Sequence, residues 1–486
     1  MRRARTTSIR LVLGAVALAT IATACSIQAP DIKLVGEGGQ PGGTVALPTS
    51  GPVGKASSFG GGTFGGGNVG GASGKNFASD TSCVGKSTDV GVSANEIKLG
   101  TTFAISGPVS NISGPIAKGV QSYFNKINAQ GGLFGRKIKL VYYDDGWDAQ
   151  KGKSKIKTLV ESDKVFVLTT VPSSNGLDAA KSYLESRKIP VFGTSGLIET
   201  QFKSPMQWPI GTSSRSIARI GVHDIVNRLK VKNAAIIWLD LLAGAEARDA
   251  FKKEAQKIGL PVVADRRVSL SDNDYGPIWA DIKNQARANG VADGIPDFVS
   301  LAIDPTSGIK ALQAAQNLGF KPKLGWGGGA PLFLKLMLDN TGGFAAQTNL
   351  LASTSYLPPL PAFESIPAVQ DYEQTVHTYY PDADLLNPYL EGGYAGAALT
   401  VEVLKRSGSC LTRARTIEVA NSIANYSAAG LTQPLTYNTF GVGGSHYGNL
   451  YIIGVQAKTG GGSTGHWEAI TDVGAKGWTK DASPGE

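Results

Sequence analysis

Glu96-Ile-Lys-Leu-Gly-Thr-Thr-Phe103, with Phe124-Asn-Lys-Ile-Asn-Ala-Gln-Gly-Gly-Leu-Phe-Gly-Arg136 and Leu140-Val-Tyr-Tyr-Asp-Asp145 after it, marks where the chain changes character. Ile97 to Phe103 reads as a short apolar strand. Between Pro115 and Gln130, Ile116, Val120, Phe124 and Ile127 fall at helical spacing, and Gly131-Gly132 supplies the stop. A strand over 138–143 and a helix over 149–161 follow. Working outward, strands over 165–170, 189–193, 234–239, 261–268, 298–303 and 323–326 alternate with helices over 176–187, 214–229, 244–258, 277–289 and 307–318. Val165-Phe-Val-Leu168 and Ala234-Ala-Ile-Ile-Trp238 are apolar throughout, as parallel strands covered on both faces require. The strict alternation predicts an α/β fold with doubly wound sheets, and there are enough units for two Rossmann-like lobes. The last third is more helical (367–379, 392–407, 412–425) and ends in a β-rich stretch, 434–471. It reads as a chain returning to complete lobes begun earlier.

Upstream of Glu96 the sequence is of another kind. Arg2, Arg3, Arg5 and Arg10 precede the apolar run Leu11 to Ile21, then small residues and Cys25. A basic start, a short apolar run and a small-residue site make an export signal over 1–24. The run is shorter than the ~20 residues a membrane span needs. The signal carries four arginines, and without them the formal charge of +9 falls to +5, which is no argument for a nucleic-acid partner. Ala22-Thr23-Ala24-Cys25 has two readings: a bacterial lipoprotein box with Cys25 lipidated and membrane-anchored, or ordinary secretion after an A-x-A site. Gly36 to Gly74 is rich in Gly, Ser and Pro and almost free of charge. Such a stretch buries too little to order itself, so 25–95 is expected to be a lipidated N-terminus and tether reaching roughly 40 Å.

The chain has 63 Gly, 3 Cys and 4 His in 486 residues. That excludes a disulfide scaffold and a Cys-built metal cluster; neither a metal nor a cofactor is expected. In doubly wound sheets, ligands bind beyond the carboxyl ends of the strands. The loops there are Ala104 to Ser113, Pro172 to Gly176, Thr194 to Gly196, Asp240 to Gly244 and Asp304 to Ser307. Most are rich in Ser, Thr and Gly and lead directly into helices, whose N-terminal N–H groups suit a carboxylate or another polar oxygen. Singly, each loop reads as an ordinary helix cap; several converging in one fold read as a site.

The motifs quoted at the outset resemble the leucine/isoleucine/valine-binding protein family, the type 1 periplasmic solute-binding proteins that serve ABC importers. The likeness is specific over 96–193 and looser to about 470. It implies two lobes joined by a hinge and a small-molecule ligand trapped as they close. Lobe one would be 96–212 plus 346–432, lobe two 213–345 plus 433–475, and 476–486 a C-terminal tail. The partners implied are importer permease subunits, the protein itself acting as a monomer and not as an enzyme. Carried over by position, Ser173 and Ser174 hold a carboxylate, Thr194 and Ser195 add contacts, and Ser106 to Asn111 borders the cleft. Leu241, Leu242, Asp304 and Trp326 close from lobe two. The family's ammonium-binding glutamate is replaced by Trp326-Gly-Gly-Gly329, so the expected ligand is amino-acid-like or a related carboxylate or amide, with an apolar wall that suits a larger or aromatic molecule. Cys83 and Cys410 remain after Cys25; export permits a disulfide between them, with two free thiols the alternative.

Two alternatives stand beside this one. A ligand-sensing receptor module could share the fold. Ser154-Lys-Ile-Lys157, Ser271-Asp-Asn273 and Lys458-Thr-Gly460 also match the short motifs of penicillin-recognising serine acyl enzymes. Their spacing is too wide for that fold, Ser154 lies in a lysine-rich helix, and Ser154 and Ser271 fall in different lobes. Asp144, Asp145 and Asp148 read as a strand end rather than a cation site.

Overall fold

The computed structural model describes residues 74–107, 109–437, 446, 451–460, 464–470 and 478–481. The export signal, Cys25 and the glycine-rich stretch before Gly74 lie outside them. The chain runs β1 (Glu96–Phe103), α1 (Ser110–Ala129), β2 (Lys137–Asp144), α2 (Ala149–Glu161), β3 (Val167–Thr169), α3 (Ser174–Ser186), β4 (Val191–Thr194), α4 (Glu199–Phe202) and β5 (Gln207–Pro209). It continues with α5 (Ser214–Leu229), β6 (Ala234–Leu239), α6 (Leu242–Lys257), β7 (Val262–Val268), α7 (Gly276–Ala288), β8 (Phe298–Ala302), α8 (Pro305–Asn317), β9 (Gly325–Gly327), α9 (Lys335–Asn340), α10 (Phe344–Gln347) and β10 (Leu350–Thr354). Then come α11 (Pro367–Tyr379), α12 (Pro388–Arg406), α13 (Arg413–Ser422), β11 (Tyr451–Lys458), β12 (His466–Ala469) and β13 (Trp478–Lys480).

Strands β2-β1-β3-β4-β5 form one sheet, parallel throughout. The second has the order β12-β11-β10-β9-β8-β6-β7, with β13 also on β11. Its strands β6 to β10 are parallel, and β11 joins antiparallel. Each sheet is covered on both faces. In lobe one α1 and α12 pack on one side and α2 and α3 on the other. In lobe two a core with Trp279, Trp326 and Phe320 fills one face, while α5 and α6 cover the other.

Several expectations change. Strand β10 bonds to β9 in the second sheet, so the chain does not return to lobe one at 346 but only after Thr354. The segment 476–486 is not merely a tail: β13 pairs with β11, and Asp481 is buried in an ion pair with Arg219. The tether does not run to residue 95 either, because Phe77 donates to the Arg406 carbonyl (2.6 Å) and Ser409 to that of Asp80 (2.8 Å). Helix α1 begins five residues before Pro115, whose fixed φ suits a helix and whose missing N–H forfeits a single bond.

Two devices hold lobe one together. Arg136, fully buried, donates to the carbonyls of Ser93 (2.8 Å), Ser409 (3.1 Å), Cys83 (2.7 Å) and Lys86 (2.8 Å). Beside it Cys83 and Cys410 are disulfide-bonded, their Cα atoms 4.9 Å apart. Second, α1 crosses α12 at glycine contacts. A Cβ on Gly119 would stand 2.0 Å from the Leu390 carbonyl oxygen, and one on Gly393 2.2 Å from that of Ile116.

Gly119→Val must push the helices apart. A loss of about 3 kcal/mol in urea unfolding is expected; an unchanged midpoint contradicts the close crossing. Glu391, in the first turn of α12, is 1% exposed, its Oε1 meets no partner, and burial pushes its carboxyl well up. A raised native pKa means stability present below the unfolded value and lost as pH rises. Glu391→Gln should therefore gain stability over the parent as pH rises above the ordinary carboxylate range. Thermal melts at rising pH check it, and a constant difference would contradict it.

Candidate functional site

Parallel pairing brings the carboxyl ends of β1, β3 and β4 to one edge of lobe one, and those of β6, β8 and β9 to one edge of lobe two. A cavity of about 310 Å³ lies where these edges meet. Lobe one lines it with Val109, Ile112, Trp147, Thr170, Pro172, Ser174 and Ser195; lobe two adds Leu241, Ala243, Asp304 and Gly328. Tyr356, from the segment crossing between lobes, and Tyr389, at the start of α12, complete the wall. The lobes also touch directly. The Asn111 amide donates to Thr306 Oγ1 across the gap (3.4 Å), and the Glu199 N–H donates to Glu246 (3.1 Å).

The expected site residues divide. Ser174, Ser195, Leu241 and Asp304 line the cavity. Ser173 caps α3, its Oγ accepting from the Gly176 N–H at 3.2 Å, which presents Ser174 at the helix N-terminus. Thr194 is buried at the end of β4, and Asn111 bridges the lobes. Ser106 is exposed and donates to Asp144, outside the cavity wall. Leu242 is 40% exposed; as the first residue of α6 it points outward while Leu241 points in. Trp326 is corrected outright. Alternation along β9 sends its ring to the far face of the sheet, against Trp279, Phe320 and Phe344, with its N–H on Thr348 Oγ1 (2.9 Å). Its neighbour Gly327 faces the cavity instead.

Trp147, Thr170, Tyr356 and Tyr389 were not expected in the wall. Trp147 follows β2, in a carboxyl-edge loop held by Asp145, which accepts from the Trp147 N–H (2.9 Å) and from Thr102 Oγ1. That position after a strand was the available signal. Thr170 has φ 43°, a left-handed conformation that a β-branched residue adopts only under constraint. The two tyrosines come from a crossing segment and a helix start, for which the sequence offers no comparable signal.

Three oxygens of the cavity wall are buried and meet no hydrogen-bond partner within the protein, Ser195 Oγ, Ser214 Oγ and Asp304 Oδ2; so are Asn111 Oδ1 and Thr194 Oγ1, outside the wall. Asp304 is 6% exposed; its Oδ1 caps α8 through the N–H groups of Thr306 (3.0 Å) and Ser307 (3.1 Å), leaving Oδ2 free. Burial, and then the Asp304 charge, push the Tyr389 hydroxyl up, so it stays a neutral donor. A buried polar atom left unpaired costs about 1–3 kcal/mol. Several around one cavity make a site suited to a ligand that both accepts and donates hydrogen bonds.

Other chemistries find less. Ser154 is exposed on α2, Ser271 lies in the turn after β7, Lys458 ends β11, and none of them lines the cavity. Asp144 takes Ser106 and Lys151, Asp145 takes Thr102 and the Trp147 N–H, and Asp148 caps α2. Among the described residues no cluster of His, Cys, Asp or Glu could hold a metal ion, and no helix is long and apolar enough to cross a membrane.

Known proteins agree with this architecture. A Leu/Ile/Val-binding protein of Rhizobium johnstonii is 23% identical over 192 residues, covering 39% of this chain and 52% of that protein, about half its length. Leu/Ile/Val-binding protein homolog 7 of Brucella abortus is 23% identical over 331 residues, 64% of this chain and 77% of that one. Among solved structures, a fatty acid ABC transporter substrate-binding protein from Thermomonospora curvata superposes with a TM-score of 0.66 at 19% identity, over 81% of this chain and 95% of that one. A solute-binding protein of R. palustris in complex with benzoate gives 0.61 at 17%, over 77% and 96%. At such identities the structures attest the fold alone. The family model described as periplasmic binding protein matches residues 96–460, and the chain belongs to that family.

Proposed function

We propose that the protein works outside the cytoplasm as the solute-binding component of an ABC importer, capturing a small carboxylate or amide between its lobes for delivery to permease subunits. The observation that carries this reading is the cavity between the two carboxyl edges, with its buried, unpartnered oxygens contributed by both lobes. Family membership supports it. In this reading Cys25 carries a lipid anchor and the glycine-rich stretch is the leash, both outside the described residues.

The chemistry of the wall assigns the roles. Ser174, at the N-terminus of α3, and Ser195 face the accepting oxygens of the ligand head; a helix N-terminus favours such an oxygen. Asp304 Oδ2, from lobe two, takes an N–H or O–H of the same head. A ligand held from both sides favours the closed state, because only differential contact shifts an equilibrium between conformations. The aliphatic wall, with Trp147 and the two tyrosines, covers an apolar body. The fatty acid and benzoate named for two structural neighbours are both carboxylates with such bodies.

Calorimetric titration against a panel of amino acids, fatty acids, aromatic acids and amides tests the assignment. Ser174→Ala should weaken the ligand found by about tenfold, one lost hydrogen bond of about 1.4 kcal/mol. Asp304→Asn should weaken it by a similar factor when the head carries an N–H or O–H. Unchanged affinity in both variants would remove the head-group site from this cavity.

A further inference from the structure

The cavity does not stop at the crevice. It continues into lobe two, between α5 and the sheet. Helix α5 offers one face along its whole length: Ser214, Ile217, Ala218, Gly221, Ile225 and Arg228 all line it. That spacing of three and four is one side of a helix, about 20 Å from end to end. Opposite, the sheet lines it with small residues toward the carboxyl ends of the strands, Ser300 and Ala302 on β8, Gly327 on β9 and Ser353 on β10, and with Ile236, Phe298 and Leu351 further in. The other face of the same strands carries Trp326 and bulky neighbours and is filled. Helix α5 packs chiefly on α6, and its Val222 and Ile225 share a buried cluster with Ile236, Phe298 and Leu351 of the sheet.

Gly221 marks the gap. A Cβ built there meets no atom within 4 Å, although the residue is half-buried. Two polar atoms stand at the mouth without a partner in the protein: Ser214 Oγ, on a residue 7% exposed, and Asp304 Oδ2. Beyond the mouth the wall is apolar, with Ile225, Ile236, Phe251, Phe298 and Leu351, relieved by hydroxyls on β8 and β10, until the Asp224–Arg228 ion pair (3.2 Å) at the other end of α5. Few groups along that length could bond an amide or a sugar, whereas hydrocarbon needs none.

We infer that this channel receives the unbranched alkyl chain of an amphiphilic ligand whose polar head sits between the lobes. The substrate class is then a long-chain primary amide, or a monocarboxylate held from lobe one away from the Asp304 carboxylate, rather than a branched-chain amino acid. The inference rests on the proposed capture of a carboxylate or amide head in the crevice and extends it to the rest of the molecule.

The test is a ladder of even-numbered unbranched monocarboxylates and primary amides, from butanoate to hexadecanoate, titrated into the parent protein, Gly221→Leu and Gly221→Ala. In the parent, affinity should rise by about fourfold per methylene that enters the channel. Gly221→Leu fills the gap and should flatten the ladder for long members while leaving butanoate and butanamide unchanged; Gly221→Ala should fall between. Glycine is a poor helix former, so both variants should melt at or above the parent temperature, which separates blocking from misfolding. Short members bound without any gain in length would overturn the channel and leave the crevice reading standing. Gain with length that Gly221→Leu does not diminish would also overturn it. Failure of every member to bind would overturn both.

Discussion

Parallel strand pairing is the constraint from which the site follows. A parallel sheet must return each crossover to the same edge, so all the carboxyl ends, and the helix N-termini that succeed them, gather at one rim. Two such sheets in one chain give two rims. The crossings after β5, after β10 and between α13 and β11 bring those rims opposite each other. The polar atoms at the rim are the unpaired ends of helices and strands, Ser174, Ser195 and Asp304 among them. They owe their position to topology rather than to any local motif.

The second sheet shows how face, not rim, shapes what can be held. Its two faces are built from the same strands with opposite packing. One receives Trp326, stacked among Trp279, Phe320 and Phe344. The other receives Gly327, Ser300 and Ser353 toward the rim, and Ile236, Phe298 and Leu351 in a buried cluster with Val222 and Ile225 of α5. Small residues near the ends of these strands thus leave a cavity on one face where the other is filled. In lobe one α1 and α12 cross closely at Gly119 and Gly393, where a Cβ on either would strike the backbone of the other helix.

Much of this was legible in the sequence. The helices 149–161, 214–229 and 367–379 and the strand 234–239 have the bounds expected of them, since their apolar spacing and caps are local properties. The rim loops after β3, β4, β6 and β8 were likewise readable, because a loop following an apolar strand is placed by the alternation itself. The failures concern direction. Trp326 lies in the expected strand but on its other face, and Leu242 is one residue past the inward-facing Leu241. A strand of three residues such as β9 has too little alternation to fix its register against a sheet. Residues brought by long-range crossings, Tyr356 and Tyr389, and the return of β10 to the second sheet leave no local trace.

The most direct measurement is the crystal structure of the protein with dodecanamide bound. The account predicts the head between Ser174 and Asp304 and continuous hydrocarbon density passing beneath α5 beside Gly221. Density confined to the crevice, with the alkyl chain turned out to solvent, would contradict it.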